Sequence, residues 1–293
     1  MRIGFIGAGK VGFTLGKYFR EHGIEVTGYY SRSIQSASEA AEFTATNVYT
    51  RRDDLLAASD VLFFTLPDKE IESVYRQVSQ LSIRGKIFCH CSGALSAQEA
   101  FPNIDDFSAT GFSVHPLFAV SDKYNAYREL VDVFFTLEGS TEKLAFMQTW
   151  LQGIDLQVRI IPAEVKVKYH CAAALASNYV LGLLQLSQNL LTECGFSPDE
   201  AEKALKPLFC GNAEHFRECG LTASLTGPLE RGDLSTLQHH LTCLTPAQRQ
   251  LYVLLAKELL QTAKEKHPQR NYTSIARFLE AQLVNASLSC AKG

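Results

Sequence analysis

An α/β fold, a doubly wound parallel sheet followed by an all-helical C-terminal domain, is what this chain predicts. Three observations predict it. A glycine-rich turn follows an N-terminal apolar run, short apolar runs alternate with helical segments through about residue 160, and strand signals stop beyond Pro162. The boundary drawn from them separates residues 1–162 from residues 163–293.

The first apolar run, Ile3 to Ile6, leads directly into Gly7-Ala8-Gly9-Lys10-Val11-Gly12, which opens a helix to about His22. A G-x-G-x-x-G turn with a strand before it and a helix after it is the Rossmann dinucleotide fingerprint. Gly7 permits the tight turn, Gly9 lets backbone approach a pyrophosphate, and Gly12 lets the helix pack closely on the strand. The helix N-terminus then offers free N–H groups to phosphate. Glu25 to Tyr30 is the second strand, and at its end Ser31-Arg32-Ser33 stands where an NAD site carries an acidic residue for the ribose 2′-OH. A guanidinium between two hydroxyls suits a 2′-phosphate instead, so the expected cofactor is NADP(H). The alternative is an ordinary surface arginine.

Further strands are expected at Asn47 to Tyr49, Asp60 to Leu66, Lys86 to Cys91, Ala109 to Val114, Val131 to Leu137 and Leu156 to Ile161, with a helix over Thr141 to Gln152. Past Pro162 one long helix is expected from about Ala163 to Cys194, ended by Gly195. Capping boxes at Ser197-Pro198-Asp199-Glu200 and Thr245-Pro246-Ala247-Gln248 start two more helices, and a last one covers Ser274 to Leu288.

Composition narrows the classes of function. At 293 residues, 46% hydrophobic and a net charge of −3, the chain has material for two domains and no basic block for nucleic acid or an anionic membrane. The longest apolar run, Cys171 to Leu186, is too short to span a bilayer. Met1 opens straight onto a strand, which leaves no signal peptide in view, and eight cysteines are then expected as reduced thiols in the cytoplasm. In Cys89-His90-Cys91 strand alternation turns His90 away from both cysteines, so no metal site is expected.

In open α/β sheets ligands gather outside the carboxyl ends of the strands. Thr65-Leu66-Pro67-Asp68, Ser92-Gly93 and His115-Pro116 are therefore candidates, with Ser92-Gly93 nearest the nicotinamide end. Plain turn chemistry explains Pro67 and Gly93 equally well. On the long helix, Lys166, His170 and Ser177 fall within about 40° of one another, with Asn178 at the edge of the stripe. A lysine or histidine beside a nicotinamide can deliver the proton that hydride transfer requires. A wet first helical turn would account for Lys166 without chemistry. Leu225-Thr226-Gly227-Pro228 with Arg231-Gly232-Asp233 forms a fixed loop whose Asp233 caps a helix carrying His239 and His240, and a substrate-side or interface role is considered for Thr226, Arg231 and both histidines.

Taken in order, the glycine turn, His90-Cys91-Ser92-Gly93, His115-Pro116-Leu117, Lys166-Val167-Lys168-Tyr169-His170-Cys171-Ala172-Ala173, Ser177-Asn178 and the Thr226 to Asp233 loop resemble the predicted NADP-dependent oxidoreductases that join a Rossmann-like domain to a helical domain of unknown function. The resemblance covers nearly the whole chain. More distantly the chain is similar to pyrroline-5-carboxylate reductase, ketopantoate reductase and the β-hydroxyacid dehydrogenases. Several of these carry a helix lysine followed four residues later by asparagine; here Lys166 matches and His170 departs. The resemblance implies a homodimer built through the helical domain and assigns no substrate.

The function expected is an NADP(H)-dependent oxidoreductase acting on a small carbonyl, hydroxy acid or imine in an interdomain cleft. Lys166, assisted or replaced by His170, would handle the proton, and Ser92 and Asn178 would orient the substrate. A non-catalytic NADP sensor or scaffold is the alternative. Gly111-Phe112-Ser113-Val114-His115 lacks the second glycine of a hydrolase nucleophile elbow.

Overall fold

The computed structural model describes residues 1–290, with side chains described through residue 284. The chain divides into two compact units, Met1–Gly182 and the segment from Leu183 onward. In the first, β1 (Ile3–Ile6), α1 (Lys10–Glu21), β2 (Val26–Tyr30), α2 (Ile34–Thr44), β3 (Asn47–Tyr49), α3 (Arg52–Ala58), β4 (Val61–Phe64), α4 (Asp68–Val78) and β5 (Ile87–His90) alternate as expected. They are followed by a single turn α5 (Ala97–Ala100), then β6 (Thr110–Pro116), β7 (Phe134–Gly139), α6 (Leu144–Gln152), β8 (Gln157–Ile160) and α7 (Lys166–Ala176).

One eight-stranded sheet results, in the order β3-β2-β1-β4-β5-β6-β7-β8. The chain reverses direction across the sheet between β3 and β4, which puts the ends of β1, β2 and β4 around the switch point where such sheets bind ligands. Side-chain alternation covers both faces. Ile3, Phe5, Val61, Phe63 and Cys89 enter one core, while Ile6, Leu62, Phe64 and Phe88 enter the other. Each buried phenylalanine contributes about 2 kcal/mol through removal of its surface from water. The sheet departs from all-parallel at one place: β6 and β7 pair antiparallel. Only a short helical turn at Ala126–Asp132 joins them, and a parallel return would need a full crossover.

Two expectations are revised. The helix expected from Ala163 to Cys194 is broken: a tight turn at Ala163–Val165 precedes α7, and α8 (Asn178–Glu193) begins after Ser177, whose backbone (φ −117°, ψ −80°) leaves the helical region. The Ser177 hydroxyl donates to the Ala173 carbonyl at 2.7 Å, a back-bond that competes with the helix ladder. The boundary placed at Pro162 lies at Gly182 instead, so α7 belongs to the sheet unit.

The second unit is helical: α9 (Pro198–Ser224), α10 (Pro228–Arg231), α11 (Leu234–Thr242), α12 (Pro246–Lys266) and α13 (Thr273–Cys290), with most of α8. Both capping boxes form at Ser197 and Thr245, and Asp233 caps α11 through the Thr236 N–H at 3.1 Å. Leu237, Val253, Leu260 and Ile275 build its core. Among the described residues no helix is long and apolar enough to cross a membrane.

Gly28 shows how tightly the edge of the sheet is built. Its φ is +147°, and an added Cβ would lie 2.0 Å from the Asn47 carbonyl oxygen on β3. Gly28→Ala is expected to cost about 3 kcal/mol, from overpacking and a disfavoured backbone, read as a lower urea midpoint with an unchanged m-value.

Candidate functional site

The three fingerprint glycines are used differently. Gly7 has φ +109°, and its Cβ would meet the Thr65 carbonyl oxygen at 2.4 Å. A Cβ on Gly12 would meet the Thr65 hydroxyl at 2.4 Å. These two let β1, α1 and the end of β4 close on one another, and the Thr65 hydroxyl donates to the Gly7 carbonyl at 2.9 Å. Gly9 has nothing within 4 Å of a Cβ position, so its side is open. It is also the N-cap of α1, where no side chain caps the helix and no acidic residue occupies the first turn. Free amides and the positive end of a 12-residue helix therefore face open space, as an incoming pyrophosphate requires. Lys10 stands exposed beside them and Val11 is half-buried.

A groove of 440 Å³ opens from this turn, lined among others by Gly7, Ala8, Gly9, Ser31, Leu66 and Pro67. Arg32 lines it and donates to Glu70 at 3.0 Å, with its side chain largely in solvent. Arg52, which the sequence reading passed over, lines it as well. Ser33 is otherwise engaged: its hydroxyl accepts from the Ser36 N–H at 3.2 Å and caps α2. The lining of the groove thus combines the glycine turn with two guanidiniums and the Glu70 carboxylate.

Across the sheet, β5, β6 and β7 set polar residues in register on one face. His90 lies opposite Ser113, Ser113 opposite Glu138, and His115 opposite Thr136. All but His115 are buried. Lys166, at the start of α7 and 1% exposed, closes over this row. Its ammonium donates to the Ser113 hydroxyl at 2.6 Å and to the Ser92 carbonyl at 3.3 Å, and Ser113 in turn donates to the Ser92 carbonyl at 3.2 Å. Ser92 donates its hydroxyl to Asp68 at 2.8 Å, tying the turn after β5 to the start of α4. Burial pushes the Lys166 ammonium down and the Glu138 carboxyl up, and the opposite charge of each offsets part of that.

Lys166 is thus a buried clamp and does not line the second cavity of this unit. Three residues beyond it, Tyr169 does, together with His170, His115 and Asn178, in a 490 Å³ cavity walled by Ala172, Ala173 and Phe118. The Tyr169 hydroxyl and His115 Nδ1 are 2.7 Å apart. Burial holds the His115 imidazole down to about 4 and raises the Tyr169 hydroxyl above its ordinary value. Gly93 lies beneath the histidines: a Cβ there would be 2.7 Å from His170 Cδ2 and 2.8 Å from His115 Nε2. The turn expected nearest the nicotinamide therefore sits against two imidazoles. Ser92 itself is buried behind it.

The remaining candidates lie in the helical unit. His240 Nδ1 is 2.8 Å from the Tyr252 hydroxyl. Next to Arg231, the carboxylate of Glu230 pairs with His267, while its carbonyl accepts from Arg270 and Tyr272. The loop after Thr226 is stapled within that unit by Glu230, which the motif reading did not single out. Among the described residues no cluster of side chains suits a metal ion.

Residues 2–92 match the family model of the coenzyme F420-dependent NADP oxidoreductases, and residues 133–259 match a domain of unknown function, DUF2520. The N-terminal segment is thus similar to an NADP oxidoreductase domain. A Thermotoga maritima protein is 27% identical, with 90% of this chain and 99% of that chain covered at a TM-score of 0.71. An NADH-preferring ketol-acid reductoisomerase from an uncultured archaeon is 16% identical, with 99% and 94% covered at 0.68. Pyrroline carboxylate reductase of Plasmodium falciparum, solved with NADP bound, is 12% identical, with 91% and 96% covered at 0.58. The last two share the fold. No curated protein matches the chain.

Two measurements check the site's construction. Gly9→Ala, entering open space, is expected to leave Tm unchanged while weakening dinucleotide binding, whereas Gly12→Ala is expected to lose about 2 kcal/mol of stability. Calorimetry on both variants separates the two glycine roles. The folded state also keeps His115 near 4 and His90 near 3, against the ordinary 6.5. Below pH 6.5 the unfolded chain takes up protons that the folded chain refuses, so stability falls as pH drops toward 4. His115→Gln is expected to remove roughly 3 kcal/mol of that fall, read from urea unfolding at pH 7 and pH 4.

Proposed function

We propose that this chain is an NADP(H)-dependent oxidoreductase that moves hydride to or from a small carbonyl, hydroxy acid or imine. The observation carrying this reading is the open side of Gly9 at an uncapped helix start, leading into a groove with two guanidiniums. When bound, the nicotinamide supplies or accepts the hydride. The amides at the start of α1 hold the pyrophosphate, Leu66 and Pro67 bound the groove, and Gly93 carries the turn next to the reacting end.

Proton handling divides between two positions on α7. His170 reaches the cavity and is the residue able to exchange a proton with a bound substrate, with the Tyr169–His115 pair beside it. Lys166 acts from behind. Its fixed charge holds Ser113 and the Ser92 carbonyl, and so the position of Gly93. Ser92 orients through its bond to Asp68, and Asn178 contributes an amide to the substrate wall. A cytoplasmic setting, as the cysteine usage suggests, belongs to the same reading.

The partner in this reading is a second copy of the chain, meeting through the helical unit. Leu208, Phe216 and Leu221 on α9 each expose more than half of their surface, and such apolar side chains grouped on one element supply what a subunit interface buries. Sedimentation velocity is expected to give a dimer that Phe216→Glu dissociates; a wild-type monomer would overturn it.

Calorimetry is expected to find NADPH bound at least about tenfold more tightly than NADH, from charge-assisted bonds to the 2′-phosphate. A panel of small carbonyls, hydroxy acids and imines is then expected to yield one substrate class turned over. On that substrate His170→Ala should lower kcat by about 10²-fold or more while leaving NADPH affinity unchanged. Tight NADPH binding with no turnover across the panel would favour the non-catalytic sensor instead.

A further inference from the structure

Arg52 is the first residue of α3, and its guanidinium lies 5.6 Å from the centroid of the Tyr30 ring at the end of β2. It is half-buried, it lines the same groove as Arg32, and among the described residues no carboxylate pairs with it. Its neighbours in sequence and space are different. Arg51 faces Asp53 and Asp54 at 2.9 and 4.0 Å, and Arg32 faces Glu70 at 3.0 Å. A guanidinium held partly out of water without a counter-ion is costly unless an anion comes to it. The Tyr30 ring is a cation–π partner and takes no hydrogen bond from the fork, so the N–H donors with which arginine grips phosphate oxygens bidentately are left for a ligand.

From this we infer that Arg52, held on Tyr30, is the principal seat of the 2′-phosphate of NADP(H), and that Arg32 is the weaker, outer contact. The assignment rests on the cofactor reading above and refines the role first given to Arg32. The reason for the ranking is Glu70. Its carboxylate is mostly buried in the same groove and neutralises Arg32, so a phosphate dianion meeting Arg32 meets a negative charge as well. Arg52 carries no such offset. Arg32 therefore contributes net attraction only to the extent that it leaves Glu70, whereas Arg52 contributes all of its charge.

Calorimetric titration of wild type, Arg52→Ala, Arg52→Lys and Arg32→Ala with NADPH, NADH and adenosine 2′,5′-bisphosphate tests the ranking without any turnover assay. Arg52→Ala is expected to weaken NADPH and the bisphosphate by about 30-fold or more and NADH by less than about threefold, the range of a lost bidentate charged contact. Arg32→Ala should weaken NADPH less than Arg52→Ala does, and Arg52→Lys should fall between Arg52→Ala and wild type, since it keeps the charge and loses the fork. Thermal melts of each variant establish that it is folded, and Arg52→Gln replaces Arg52→Ala if the latter is not. Equal weakening of NADPH and NADH by Arg52→Ala, no effect on either, or a larger loss from Arg32→Ala would each overturn the assignment. A wild type that binds NADH more tightly than NADPH would instead overturn the cofactor reading beneath it, a result distinguishable because it appears before any substitution.

Discussion

The buried ammonium of Lys166 is the interaction on which the site's arrangement depends. Strands β5, β6 and β7 bring His90, Ser113 and Glu138 side by side on a face that is otherwise apolar, and a row of polar groups there would be costly without a partner. Lys166 supplies it, donating to Ser113 and to the Ser92 carbonyl. Closing over that row draws the start of α7 onto the sheet. With α7 in place, Tyr169 reaches His115 and His170 reaches Gly93. Ser92 passes the constraint on to Asp68 at the start of α4. One ammonium thus connects β6 and the turn after β5 with the helix that walls the cavity.

The cofactor groove depends on a different kind of constraint, the absence of side-chain volume. Gly7 and Gly12 let backbone and the Thr65 side chain fill the space where a Cβ would stand, while Gly9 leaves its space open. The same motif therefore combines two structural glycines with one that serves a ligand. Around the far end of the groove the charges are arranged unevenly, with Arg32 paired with Glu70 and Arg52 over the Tyr30 ring without a counter-ion among the described residues. That imbalance is a property of side chains drawn from three separate elements and a loop.

Much of this was legible along the chain. The eight strands emerge close to their expected positions because each is a short apolar run bounded by turn residues, and both capping boxes form because their bonds are local. Legibility failed where a distant partner decided the outcome. Helical periodicity continues unbroken through Ser177, yet the helix stops there as its hydroxyl bonds back to Ala173. Lys166 and His170 share a helix stripe, yet one is buried among hydrogen-bond acceptors on the sheet and the other faces a cavity. Ser113 stood out only as a polar residue between Phe112 and Val114, a signal that alternation could have used to find the lysine's partner.

The sequence by itself determined the sheet, the dinucleotide turn and the helical second unit, since apolar periodicity, glycine spacing and capping chemistry act between residues close in the chain. Only the tertiary structure decided which charged groups are paired. Lys166 meets Ser113 across 53 positions, Arg32 meets Glu70 across 38, and Arg52 meets Tyr30 with no carboxylate beside it among the described residues. No local rule carries that information, because an ion's role depends on what the fold brings within about 4 Å of it and on how much water remains there.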